Sequence, residues 1–268
     1  MIGYLAAPPG HGMVGPSVGE YAANGNTITR NLPAGMEHQG GDGIVRDSVF
    51  GSAYSETRSF FGGIYGLEPW INEQYEHPDH FAKLVEALER RNERMLPLIL
   101  ASPAEFVGGG SLNGDISPAW WEKWILPFYE KYIPQLHAKG KIWALHAHAS
   151  NLKAFAKLVP RTGVDVLEAF TPPPVGDLSL AEARAAWGPE TVIWVNFPET
   201  IFYRGAEETR RYTSELLRSD PPGGALVIGF TEMGQSGVHD DESERIFTAG
   251  IRAIMEAIEE HGNYPITA

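Results

Sequence analysis

What most constrains this chain is the regular alternation between residues 141 and 261, where short apolar runs are separated by helical patterns. Lys141–His148 reads as a strand, Ser150–Val159 as a short helix ended by Pro160, and Val164–Phe170 as a second strand. Ser179-Leu180-Ala181-Glu182 is a capping box opening a helix that stops at Gly188. Thr191–Phe197 then reads as a strand, Ala206–Ser219 as a helix, Ala225–Thr231 as a strand and residues 241–261 as a last helix. Strands of this length joined through helices cannot pair as hairpins. They imply a parallel sheet with right-handed crossovers, covered by the helices.

The first half carries a weaker signal. Segment 8–43 is rich in Gly, Pro and Asn and reads as irregular, with short strands at Ile2–Ala6 and Thr27–Arg30. Ile44–Phe50 looks like a strand. A helix is predicted over 78–101 from Phe81, Leu84, Val85, Leu88, Met95, Leu96 and Ile99, with Pro78 and Asp79 in its first turn and a kink or break at Pro97. A strand near Glu105–Val107 follows. Ser117 and Pro118 then open a helix running to Lys139 and stopping at Gly140, whose stripe of Trp120, Trp124, Phe128 and Tyr132 reads as core packing. Without repeats or an interdomain linker, residues 1–268 read as one domain, with 1–43 its irregular N-terminal segment.

Neither the dinucleotide-binding fingerprint nor a Walker phosphate loop is present. Polar residues instead follow many different strand ends: Asn113 and Asp115, His146 and His148, Glu168, Asn196 and Glu232. Convergence of several strand ends on one mouth is the property of a closed (β/α)8 TIM-type barrel, here with a shortened or irregular N-terminal part.

Composition narrows the function. The net charge of −13 argues against a nucleic-acid partner, which requires clustered Lys and Arg. The absence of cysteine removes disulfides, thiolate metal sites and cysteine nucleophiles. No apolar run has the length of a membrane span, and Met1–Ala7 lacks the basic start of a signal peptide, so a cytoplasmic protein is expected.

The sharpest chemical signal is Leu145-His146-Ala147-His148. Residues two apart on a strand share a face, so both imidazoles point one way while Trp143, Leu145 and Ala147 point the other. Such a pair starts a divalent metal site, or is simply two hydrogen-bonded histidines at a strand end. A carboxylate from another strand end would favour the metal. Glu232, just past the apolar strand at 225–231, and Glu168, where an unpaired carboxylate would be costly to bury, are the candidates. Asn113-Gly114-Asp115 suits either a turn or the site, Asn196 either a substrate hydrogen bond or a turn, and Thr171-Pro172-Pro173-Pro174 a rigid pocket wall.

Asp115-Ile116-Ser117-Pro118, Leu126-Pro127-Phe128-Tyr129, Lys139-Gly140-Lys141 and Leu145-His146-Ala147-His148 follow one another in the order and spacing of the uroporphyrinogen decarboxylase superfamily. Gly163 to Leu180 and Val192 to Pro198 resemble an uncharacterised branch of it, and the likeness covers about residues 60 to 260. The resemblance implies a (β/α)8 barrel and, through the cobalamin-dependent methyltransferases of that superfamily, a zinc ion and a methyl group delivered by a corrinoid or a corrinoid protein. His146 and His148 stand at the His-x-Cys pair of those enzymes and Glu232 close to their later cysteine. An all-His/Glu set leaves zinc more electrophilic and suits it to activating water, a hydroxyl or a carboxylate. On this resemblance Glu168, Asp115 and Asn196 are the catalytic candidates, Asn113, Phe170 and Phe197 line the substrate, and a homodimer is implied. The alternative is a metal-independent decarboxylase, which needs a cationic grip; the superfamily's N-terminal arginine motif is missing, and Arg46, Arg58 and Arg204 are the candidates left. A metal-dependent hydrolase and a non-catalytic barrel are the further readings.

Overall fold

The computed structural model describes residues 46–47, 51–58, 66–112, 114–148, 150–220, 224–230 and 241–261. The expected irregular segment 1–43 with its two short strands, and the candidates Asn113 and Glu232, lie outside the described residues. The chain forms two compact units, one from Gly3–Ser111 and Ala119–Ala144, the other from Met1–Ile2, Leu112–Pro118 and Leu145–Ala268.

The first unit holds β1 (Arg46–Asp47), α1 (Ala53–Thr57), α2 (Leu67–Glu76), α3 (Pro78–Ala101), β2 (Phe106–Ser111), most of α4 (Pro118–Trp124), and α5 (Leu126–His137). β1 runs parallel to β2, Arg46 opposite Phe106, and Ile142 N–H donates to the carbonyl of Glu105. The long α3 has the predicted bounds, but it continues through Pro97 to Ala101 instead of breaking there. The helix expected from Ser117 to Lys139 is two helices meeting at Ile125, because Pro127 occupies the first turn of α5, where a missing N–H costs nothing. The expected aromatic stripe packs as core: Trp120 meets Trp70 and Tyr54 edge-on, and Phe128 packs on Tyr132 and Trp143. The α2 helix carries no strong sequence signal and is held by buried Trp70, whose indole donates to Thr57 Oγ1.

β3 (Ile142–His146) starts in the first unit and ends in the second. The second unit continues with β4 (Val166–Phe170), α7 (Leu180–Trp187), β5 (Val192–Asn196), α8 (Ala206–Ser219), β6 (Leu226–Gly229) and α9 (Asp241–Glu260), the short α6 (Val159–Thr162) preceding β4. β4, β5 and β6 are parallel neighbours in that order. This is the parallel α/β arrangement the alternation implied. Pro160 opens α6 instead of ending a helix, and a 3-10 turn, Leu152–Phe155, stands where the longer helix was expected.

On one face of β5 and β6 the core gathers Phe197, Ile201, Phe202, Phe247 and Ile254, with Ile228 and Phe230 packed against them. α9 comes close enough to Phe202 that a Cβ on Gly250 would lie 2.3 Å from its ring. At the strand starts the buried Arg184 pairs with Asp220 at 2.7 Å and donates to the carbonyls of Gly188, Thr191 and Ala225, fixing the entries to β5 and β6. Among the described residues no helix is long and apolar enough to cross a membrane.

Candidate functional site

The site lies in the second unit, at the C-terminal ends of β3, β4 and β5. The strand phase expected for the histidines holds. Leu145 and Ala147 are fully buried, His146 is part-exposed and His148 exposed. The two imidazole centroids are 5.6 Å apart and tilted by 57°. Beyond the last ladder residue of β3 the chain stays tied to its neighbours: Leu112 N–H donates to the carbonyl of His146, and Ala147 N–H to that of Glu168 at 2.6 Å.

Glu168 faces His146, its Oε2 being 3.3 Å from Nδ1, with side-chain exposures of 37% for the histidine and 16% for the glutamate. An ionised carboxylate only accepts, so this contact suits the tautomer with its proton on Nδ1, which points Nε2 elsewhere as acceptor or ligand. A carboxylate behind an imidazole is the arrangement that orients a histidine, whether it serves as a base or as a metal ligand.

An irregularity in β4 decides which side chains share the face of Glu168 and His146. Leu167 pairs with Ile193 but Phe170 pairs with Val195, so β4 spends one residue more than β5 over this stretch. The slack is taken up at Ala169, the one non-glycine residue with positive φ among the described residues, at +58°. A bulge of this kind re-aims side chains. Thr171 Oγ1 donates to the carbonyl of Ala169 at 3.2 Å and accepts from Asn196 Nδ2 at 3.1 Å, and both side chains are buried.

The other candidates separate clearly. Asp115 is exposed in the turn that follows β2, and Asn151 approaches that turn closely enough to exclude a Cβ at Gly114. Phe170 is fully buried, edge-on to Trp187 of α7 at 5.5 Å, and Phe197 is stacked on Phe202 inside the core. Arg204 is exposed, 4.0 Å from Glu208. The structure thus brings together His146, His148 and Glu168, and joins Asn196 to them through Thr171, which the sequence reading took only as part of a pocket wall.

Among the described residues no group of three His, Asp or Glu side chains is arranged to hold a metal. The donors that fit one are His146, through Nε2, and His148; the third expected ligand, Glu232, lies outside the described residues.

No family model and no curated protein matches the sequence. Among solved structures, the chain is similar to a fructose-bisphosphate aldolase from Slackia heliotrinireducens DSM 20476 at 15% identity and a TM-score of 0.38. The match covers 68% of this chain and 59% of that one, a remote likeness that says nothing about activity.

Proposed function

We propose that the chain is an enzyme built on a (β/α)8 barrel and centred on the Glu168–His146 pair. In this reading it is a zinc-dependent methyltransferase that takes its methyl group from a corrinoid carrier, works in the cytoplasm and assembles as a homodimer. The observation that carries the proposal is the 3.3 Å contact between Glu168 Oε2 and His146 Nδ1, with the His148 ring beside it. It leaves an oriented imidazole next to a second one, at the end of a parallel sheet where α/β enzymes place their chemistry. His146, His148 and Glu232 would hold the ion, and zinc bound there supplies a Lewis acid for the methyl acceptor. Glu168 orients the His146 ring and fixes its tautomer. Asp115, exposed in the neighbouring turn, is the group for exchanging a proton with the acceptor.

The test is the metal content of protein purified without a histidine tag, followed by methyl transfer from methylcobalamin to a panel of acceptors. About one zinc per chain is expected, lost in His146→Ala and His148→Ala while the far-ultraviolet spectrum persists. Glu168→Gln should keep the site but weaken zinc binding by about 10–100-fold, the usual effect of removing the carboxylate behind a ligating histidine. Protein that takes up no zinc even after incubation with it would overturn the metal-dependent reading.

A further inference from the structure

Ala169 poses a problem that the function so far proposed does not use. A non-glycine residue in the left-handed region costs about 1–3 kcal/mol and persists only where its surroundings impose it. Here it sits inside a strand, between two residues whose orientations matter, and it is almost completely buried. Strict alternation from Leu167, which packs on the helix side, would send Phe170 to the same face as Glu168. The extra residue returns Phe170 to the helix side against Trp187, away from the face on which Glu168 meets His146. The room for the carboxylate beside His146 therefore depends on the strained turn at Ala169.

The Thr171 hydroxyl, 7% exposed, donates to the Ala169 carbonyl, and its own orientation is fixed by the amide of Asn196, 4% exposed, on the next strand. A hydroxyl has one proton to give. Receiving the Asn196 donor commits that proton to Ala169.

We infer that Thr171, locked by Asn196, is a positioning residue: it holds Ala169 in the left-handed conformation and so keeps the Phe170 ring off the face on which Glu168 meets His146. Asn196 then acts through Thr171 and not on the reacting atoms. This deepens the reading of the Glu168–His146 pair as the centre, but it concerns the geometry of that pair and not the presence of zinc.

The experiment follows the tautomer of His146 in the metal-free, full-length chain by long-range proton–nitrogen correlation with 15N-histidine labelling. The spectra are recorded at a pH of about 9, well above the ordinary imidazole value of about 6.5, to compare neutral tautomers. The wild type should show His146 with its proton on Nδ1, and Glu168→Gln should move it towards the ordinary mixture dominated by Nε2–H. Thr171→Val, which keeps the shape and removes the hydroxyl, should do the same, and Thr171→Ser should restore the wild-type signal. Glycine adopts the left-handed region without strain. The double variant A169G/T171V should therefore recover the Nδ1 tautomer without the hydroxyl, a rescue that a merely structural threonine would not show, and it supplies a folded protein if Thr171→Val alone does not fold. A folded Thr171→Val that keeps the wild-type tautomer, or a double variant that stays in the Nε2–H mixture, would overturn the inference. Because the measurement is made without metal, failure to bind zinc leaves it standing, and a normal zinc content does not rescue it.

Discussion

The single residue that ties most of the second unit together is Arg184. Its guanidinium and the Asp220 carboxylate have side-chain exposures of 4% and 6%, and every direction of the fork is used, on Asp220 and on the backbone carbonyls of Gly188, Thr191 and Ala225. Removing one charge of such a pair leaves the other buried and uncompensated, which costs about 3–5 kcal/mol. Asp220→Asn should therefore lower the stability read from urea unfolding by about that amount, without altering zinc content, since the pair lies at the start of the strands and the site at their ends. A loss below about 1 kcal/mol, the value of an exposed pair, would show that water reaches the guanidinium. Nothing in the sequence marks Arg184, because one arginine on an amphipathic helix resembles any other. His146 and His148 were legible because a period of two in an apolar run has a single structural meaning. Glu168 was legible as a buried carboxylate in need of a partner. The bulge at Ala169 was not, since no residue type announces it, and so the alternation that placed the histidines could not place Phe170.

At the scale of elements, local signals served best where they were closed by their own chemistry. The capping box at the start of α7 is complete: Ser179 N–H and Oγ both donate to Glu182 Oε2, and Glu182 N–H returns a bond to Ser179 Oγ. Lys153 Nζ adds a contact with the other carboxylate oxygen at 2.9 Å. The Ser179 hydroxyl foremost, and then Lys153, hold the Glu182 carboxyl down to about 2. A carboxyl depressed in the folded state contributes stability above its unfolded value, near 4.5, and that contribution is lost as pH falls from there through about 2. The melting temperature of the wild type should exceed that of Glu182→Gln at pH 6, and the difference should close between about pH 4.5 and 2. A difference that stays constant over that range would mean that the carboxylate takes no part in the cap. Prolines were poor markers of helix ends. Pro97, Pro127 and Pro160 all lie within helices or their first turns, where proline is tolerated once packing has decided the path of the chain.

For the whole molecule, the parallel α/β character follows from the spacing of apolar runs, whereas closure of the sheet depends on pairings far apart in sequence that no local pattern encodes. β6 offers a direct test of the proposed barrel. Ile193 N–H donates to the carbonyl of Ala225, and Phe197 N–H to that of Gly229. In a parallel ladder these two bonds set the phase: Val227 and Gly229 turn their backbone groups towards β5, while Leu226 and Ile228 turn theirs away. In an open sheet that ends at β6 the amides of Leu226 and Ile228 would meet solvent and exchange quickly. In a closed barrel they donate to a further strand and are buried on both sides. Residue-resolved hydrogen exchange should find Leu226 and Ile228 protected to the same degree as Val227 and Gly229. Fast exchange at the first two beside slow exchange at the second two would show β6 to be an edge. The site would then lie at the end of an open parallel sheet, leaving the Glu168–His146 pair in place but removing the ring of strand ends from which a (β/α)8 enzyme draws its remaining groups.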